Sequence, residues 1–233
     1  MTEMKDLETA LYLIERHCQP FLSQSGGSLI YRGIGGVDSY TCILPDILYM
    51  QPVRTDREPR NLPRDVHEIL VKTFADLGFK ANRNNVAFSV TLTNAKRYGT
   101  PYILFPIGDF HFTWSKKVED LNDELKAFKS DEGYGWIDKG VFLLKDECGV
   151  SGLSNDEISA IKKLPFLTLF QLSQTDYINF NEESFKKHIE KMYLNSTDLV
   201  GAIESGNEIG IACKECYYMP AEHAEKVRGL PAS

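Results

Sequence analysis

Apolar residues recur at helical spacing near the start of the chain. Leu7, Ala10, Leu11, Ile14 and Cys18 fall on one face and predict a helix over 6–22. Ser28-Leu29-Ile30-Tyr31-Arg32 reads as a short strand, stopped by Gly33-Ile34-Gly35-Gly36. Residues 37–63 hold no clean period and carry Pro45, Pro52, Pro59 and Pro63, so a long irregular loop is expected there. Val66, Ile69, Leu70, Phe74 and Leu77 make one stripe and predict a helix over 64–77, with Gly78 as its stop. A strand at 86–92 and a short helix at 94–98 follow. Two strands at 101–105 and 110–114 flank Pro106-Ile107-Gly108-Asp109 and predict a hairpin.

Val118, Leu121, Leu125 and Phe128 predict a further helix, and the mixed, Gly-rich residues 130–152 read as an insertion. Ser154 and Glu157 have capping-box spacing and open a helix through Leu164. Leu167–Leu172 reads as a strand, and 182–193 and 198–204 as helices. Residues 208–213 and 216–219 read as a final strand pair across Lys214-Glu215. The tail from Pro220 is expected to be loosely held. Helices and short strands alternate without the rhythm of a doubly wound sheet. That predicts an α+β fold with antiparallel strands. One domain over 1–233 is expected, with the loop at 37–63 and an insertion around 115–165.

With 42% hydrophobic and 25% charged residues in 233 positions, the composition is that of a globular protein and excludes a disordered or low-complexity chain. The net charge of −7 argues against long non-specific wrapping of nucleic acid, though it leaves room for a local basic groove. No run of 18 apolar residues occurs, and Glu8, Glu15 and Arg16 interrupt the first helix, so neither a membrane span nor an export signal is expected. The expected location is cytoplasmic. Cys18, Cys42, Cys148, Cys213 and Cys216 then read as reduced thiols. Cys213-Lys214-Glu215-Cys216 is a lone CxxC, without a second pair or a histidine at ligand spacing, and no metal is expected. The glycines at 33–36 precede neither a Lys-Ser/Thr nor a helix, so they form no phosphate loop or dinucleotide fingerprint.

Three separated pieces share a chemical logic. Ile30-Tyr31-Arg32-Gly33 is a strand ending in arginine and glycine. Phe88-Ser89-Val90-Thr91 is a strand ending in two hydroxyls, with Asn94-Ala95-Lys96-Arg97-Tyr98 opening a helix just beyond. Gly206-Asn207-Glu208-Ile209-Gly210-Ile211 places a glutamate at the head of an apolar strand, ahead of Tyr217-Tyr218. Taken singly, each has an ordinary reading: a surface charge at a strand end, strand hydroxyls, a residue flanking a turn.

Together and in this order they resemble the Arg–Ser–Glu branch of the ADP-ribosyltransferase superfamily, the branch of bacterial toxins and phage enzymes. The resemblance rests on about 25 residues at the start, middle and end of the chain. It implies split antiparallel sheets with flanking helices, and a mono-ADP-ribosyltransferase that cleaves NAD. By it, Arg32, Ser89 and Glu208 are the catalytic set. Arg32, Gly33, Ser89, Thr91, Tyr98 and Tyr102 would hold NAD, the tyrosines by stacking on nicotinamide.

The chemistry suits those residue types. A planar guanidinium grips a pyrophosphate. A carboxylate stabilises the oxocarbenium-like sugar left when the nicotinamide bond breaks. One departure matters. Family members that modify arginine carry a glutamate two residues before the catalytic one, where this chain has Gly206. Arg54, Arg57, Arg60 and Arg64 recur in the long loop and would line a groove for a phosphate backbone. RNA or DNA is therefore the favoured acceptor, protein the second, and a toxin, phage factor or defence effector with an antitoxin or other regulatory partner the implied setting. The alternatives are an NAD glycohydrolase and a non-catalytic binding module on the same fold.

Overall fold

The computed structural model describes residues 6–35, 47–56, 62–126, 136–137, 139–144, 154–174, 178–195 and 197–230. The chain divides into two compact units, one of residues 1–117 with 193–233 and one of residues 118–192. The insertion expected around 115–165 is thus a unit that runs on to Met192.

The first unit opens with α1 (Leu7–His17) and α2 (Gln19–Ser25), then β1 (Tyr31–Gly35), β2 (Tyr49–Pro52), α3 (Arg64–Asp76), β3 (Ala87–Ser89), α4 (Leu92–Lys96), β4 (Gly99–Pro106) and β5 (His111–Ser115). The second unit holds α5 (Leu121–Lys126), β6 (Phe142–Leu144), α6 (Asn155–Ile161), α7 (Phe166–Leu172), β7 (Ile178–Phe180) and α8 (Glu182–Met192). The first unit then resumes with β8 (Tyr193–Leu194), α9 (Leu199–Glu204), β9 (Ile209–Ala212), β10 (Glu215–Pro220) and α10 (Ala224–Val227).

The first unit contains two antiparallel sheets, in the orders β1-β4-β10-β2 and β3-β9-β5-β8. This is an α+β architecture. Strands 4 and 5 were expected to form a hairpin, and strands 9 and 10 a final pair. Neither does. Each of these two connections instead carries the chain from one sheet to the other, so β10 runs beside β4 while β9 runs beside β5. Gly108 turns the first connection at φ +66°. Bonds from Ile107 N–H to Glu215 C=O (3.0 Å) and from Val53 N–H to Lys214 C=O (2.9 Å) fasten the second. Short-range pattern predicts strands well. It cannot tell a hairpin from a crossing, because both need a turn at the same place.

A single apolar core joins both sheets with α1, α2 and α9. Ala10, Ile14 and Cys18 are fully buried there, as the helical stripe requires. Phe21 of α2 meets the Phe105 ring edge-on at 5.9 Å. The expected first helix breaks at Cys18, where Pro20 at the start of α2 opens a new one. The strand expected to stop at Gly33 continues to Gly35, opposite Gly99 on β4. The tail is not loose: Val227 of α10 is buried in the core, and Arg228 lies close enough to Tyr31 for its charge to act on the phenol.

In the second unit, β6 pairs with β7 over an aromatic core. Trp136 meets Phe166 at 5.0 Å and His188 at 4.8 Å. The capping box at Ser154 forms as expected and starts α6. Leu167–Leu172, read as a strand, is instead part of α7. Phe166, Leu169 and Phe170 are its buried residues, at the i, i+3, i+4 spacing of one helical face, with Pro165 as the N-cap. Among the described residues, no helix is long and apolar enough to cross a membrane.

Gly33 has a packing role that its strand setting conceals. A Cβ there would lie 2.2 Å from the Ala95 carbonyl oxygen and 2.8 Å from Tyr98 Cβ, because α4 lies directly on β1. The obstruction is backbone and cannot rotate away. Gly33→Ala should therefore destabilise the protein by about 3 kcal/mol, the upper range for overpacking. A urea midpoint equal to that of the unaltered protein would disprove the close approach.

Candidate functional site

The three strands that carry the sequence motifs are neighbours. Tyr31 of β1 exchanges two hydrogen bonds with Val90, just past β3, at 3.1 and 2.8 Å. Strand β3 in turn pairs with β9, Ser89 opposite Ile209 and Phe88 opposite Gly210. The arginine, serine and glutamate strands thus lie side by side although their motifs are remote in sequence.

Their side chains do not converge. Directions alternate along a strand, so Glu208, next to Ile209, points to the face of Phe88, and Ser89 points to the opposite face. Ser89 is fully buried and donates to the Ile209 carbonyl at 3.3 Å. Arg32, one residue from the Tyr31–Val90 pair, lies on the same side of that junction as Ser89. Its guanidinium lies near Tyr218 and Cys216, close enough for its charge to act on both. Burial pushes the Tyr218 phenol well above its ordinary value, and the Arg32 charge acts in the other direction. One strand position thus separates Glu208 from the face that Ser89 and Arg32 share.

Glu208 has a different partner. It is 7% exposed and forms an ion pair with the equally buried Arg83 at 2.9 Å, 125 positions away in sequence. The same guanidinium lies 4.7 Å over the Phe88 ring. Asn82, Thr113 and Tyr193 line the small cavity around the pair. The Thr113 hydroxyl is buried in it without a hydrogen-bond partner among the described residues. Nothing in the local sequence links Arg83 to Glu208.

The remaining expected residues take varied places. Thr91 caps α4 by accepting from Asn94 N–H at 3.3 Å. Tyr98 is exposed at 41%, at the end of α4 beside Gly33. Tyr102 is 1% exposed within β4, so it offers no ring face to a ligand and is corrected to a core residue. A second cleft, of about 170 Å³, is lined by Tyr31, Val90, Thr91, Gly206 and Asn207. Sites that bury a whole drug-sized ligand are several hundred Å³, so this space suits a single ring. Arg54 pairs with Asp56 at 3.1 Å and Arg64 with Glu68 at 3.0 Å, all well exposed. Arg57 and Arg60 lie outside the described residues. Among those described, no three His, Cys, Asp or Glu side chains gather to hold a metal ion.

No protein-family model, no curated protein and no solved structure matches the chain.

The Arg83–Glu208 pair can be tested directly. Removing one member of a buried pair strands the other charge, so Arg83→Gln and Glu208→Gln should each cost about 3–5 kcal/mol. Replacing both, as Arg83→Gln with Glu208→Gln, should cost clearly less than the sum. Chemical denaturation of the four proteins measures the cycle, and additive losses would show that the two groups do not interact.

Proposed function

We propose that this chain is an ADP-ribosyltransferase that takes NAD as substrate and passes ADP-ribose to a macromolecule. The observation that carries the reading is the adjacency of the three motif strands, β1 bridged to β3 and β3 paired with β9. Strands with that order and spacing are what the resemblance to the Arg–Ser–Glu branch implies, and the two split antiparallel sheets agree with that fold.

In this reading Glu208 is the reacting carboxylate. As nicotinamide leaves, positive charge grows on the ribose, and a desolvated anion beside it stabilises that charge more than it would in water. Arg83 keeps the carboxylate oriented until substrate arrives. The unpaired Thr113 hydroxyl, in the same cavity, offers a hydrogen bond to a sugar hydroxyl. The nicotinamide ring would occupy the cleft beside Tyr31 and Gly206. Arg32 carries the five N–H donors of a guanidinium, and these would hold phosphate. Ser89 is a framework residue that fastens β3 to β9.

The acceptor reading rests on two features. Gly206, at φ +73°, supplies no carboxylate to activate an arginine. The arginines from 54 to 64 lie on one stretch, and their exposed pairs with Asp56 and Glu68 are of the weak kind that phosphates displace. RNA or DNA is thus the acceptor we favour, with protein second.

A second reading has its own support. Glu208 is clasped by Arg83 and faces away from Ser89, as in a structural ion pair. A non-catalytic binding module on the same fold would look like this.

Labelled NAD separates the two. The transferase should release nicotinamide, and Glu208→Gln should lower that rate by about two to three orders of magnitude at temperatures where the variant stays folded. NAD bound with no nicotinamide released by the unaltered protein would establish the module instead. If RNA or DNA is the acceptor, transfer should fall steeply with salt, and replacing Arg54, Arg57 and Arg60 with Ala should flatten that dependence. Label on protein alone, indifferent to the triple replacement, would remove the nucleic-acid reading.

A further inference from the structure

The connection between β9 and β10 carries a feature that NAD chemistry does not use. Cys213 and Cys216 bring their sulfurs within 3.2 Å of each other. Cys213 is half-buried and Cys216 fully buried. The Cys213 thiol also reaches the Glu215 carbonyl at 3.2 Å. The backbone between them is pinned from two sides, by Ile107 N–H on Glu215 and by Val53 N–H on Lys214. The two sulfurs are thus held together by the point where the sheets part, not by a mobile hairpin tip. A disulfide has an S–S length of about 2.05 Å, so the sulfurs need approach by only about 1 Å.

We propose that Cys213 and Cys216 form a reversible thiol–disulfide site whose oxidant is a low-molecular-weight disulfide of the glutathione class. The half-exposed Cys213 is the attacking thiol. Hydrogen bonding from Cys216 favours its thiolate, while the hydrogen bond to Cys213, then burial, keeps Cys216 protonated. The Cys213 thiolate attacks one sulfur of the oxidised disulfide. A Cys213 mixed disulfide forms and one thiolate leaves. Cys216 then loses its proton and attacks the Cys213 sulfur. The second thiolate leaves, closing the Cys213–Cys216 disulfide. Two thiols are oxidised and one disulfide is reduced. Cys18, fully buried just past α1, lies near both sulfurs but has no exposed surface for the oxidant.

The experiment treats the folded protein with oxidised glutathione, quenches in acid, alkylates free thiols and digests with trypsin. Cleavage after Lys214 separates Cys213 from Cys216, so a disulfide leaves two peptides joined. We expect two of the five thiols to be lost together, with the joined pair carrying Cys213 and Cys216, and dithiothreitol to restore both. Oxidation should be about tenfold faster than in the urea-unfolded chain, because the fold holds the sulfurs together. Cys216→Ala should stop at a glutathione adduct on Cys213. Should that variant not fold, the peptide map of the unaltered protein decides alone. Five persistent thiols under conditions that oxidise the unfolded chain would overturn the proposal. So would a joined pair that contains Cys18.

Discussion

Two hydrogen bonds between Tyr31 and Val90 hold the first unit's site region in its shape. They are the bridge between β1 of one sheet and the end of β3 in the other. The strands part immediately afterwards, since β3 ends at Ser89 and Thr91 starts a helix. That helix turns back onto β1, where only a glycine fits beneath the Ala95 carbonyl. The bridge therefore determines where Gly33 must be glycine, where Tyr98 emerges and where the small cleft opens. Side-chain alternation on either side of it decides which face each motif residue takes.

The same alternation explains why Glu208 keeps company with Arg83. A carboxylate turned into a nearly closed cavity needs a partner, since an isolated buried charge is prohibitively costly. Ser89 lies on the other face and cannot serve. Arg83 reaches Glu208 from the segment between α3 and β3, its guanidinium resting on Phe88. The pair is consistent with a reacting carboxylate held ready and with a structural anchor. Measured turnover distinguishes these, because charge stabilisation in a transition state acts on rate, whereas an anchor acts on stability.

Local signals in the sequence were reliable where the structure is local. The stripe Val66–Leu70–Phe74 became α3, the Ser154 box became the start of α6, and Asp198 caps α9. A short apolar run was ambiguous, and Pro165 with the spacing of Phe166, Leu169 and Phe170 settled it as helix. Both expected strand pairings failed at the turns around Gly108 and Lys214. There the turn residues were read correctly, but the partner strands were not those next in sequence. The C-terminal tail was misjudged for a similar reason: nothing near Val227 signals that it fills a gap in the core or that Arg228 lies near Tyr31.

By itself the sequence determined the fold class, most of the helices, and the three motif strands whose order suggested NAD chemistry. Each of these depends on residues within a few positions of one another, where periodicity and capping act. Only the tertiary structure decided that those strands are neighbours, that Glu208 faces Arg83 and not Ser89, that Tyr102 is core, and that Cys213 and Cys216 meet over a fixed junction. The Glu208–Arg83 and Ser89–Ile209 contacts span more than a hundred positions, and the other facts turn on strand register and packing. A shift of one residue moves a side chain to the opposite face of a sheet, and no local pattern records which register the folded chain adopts.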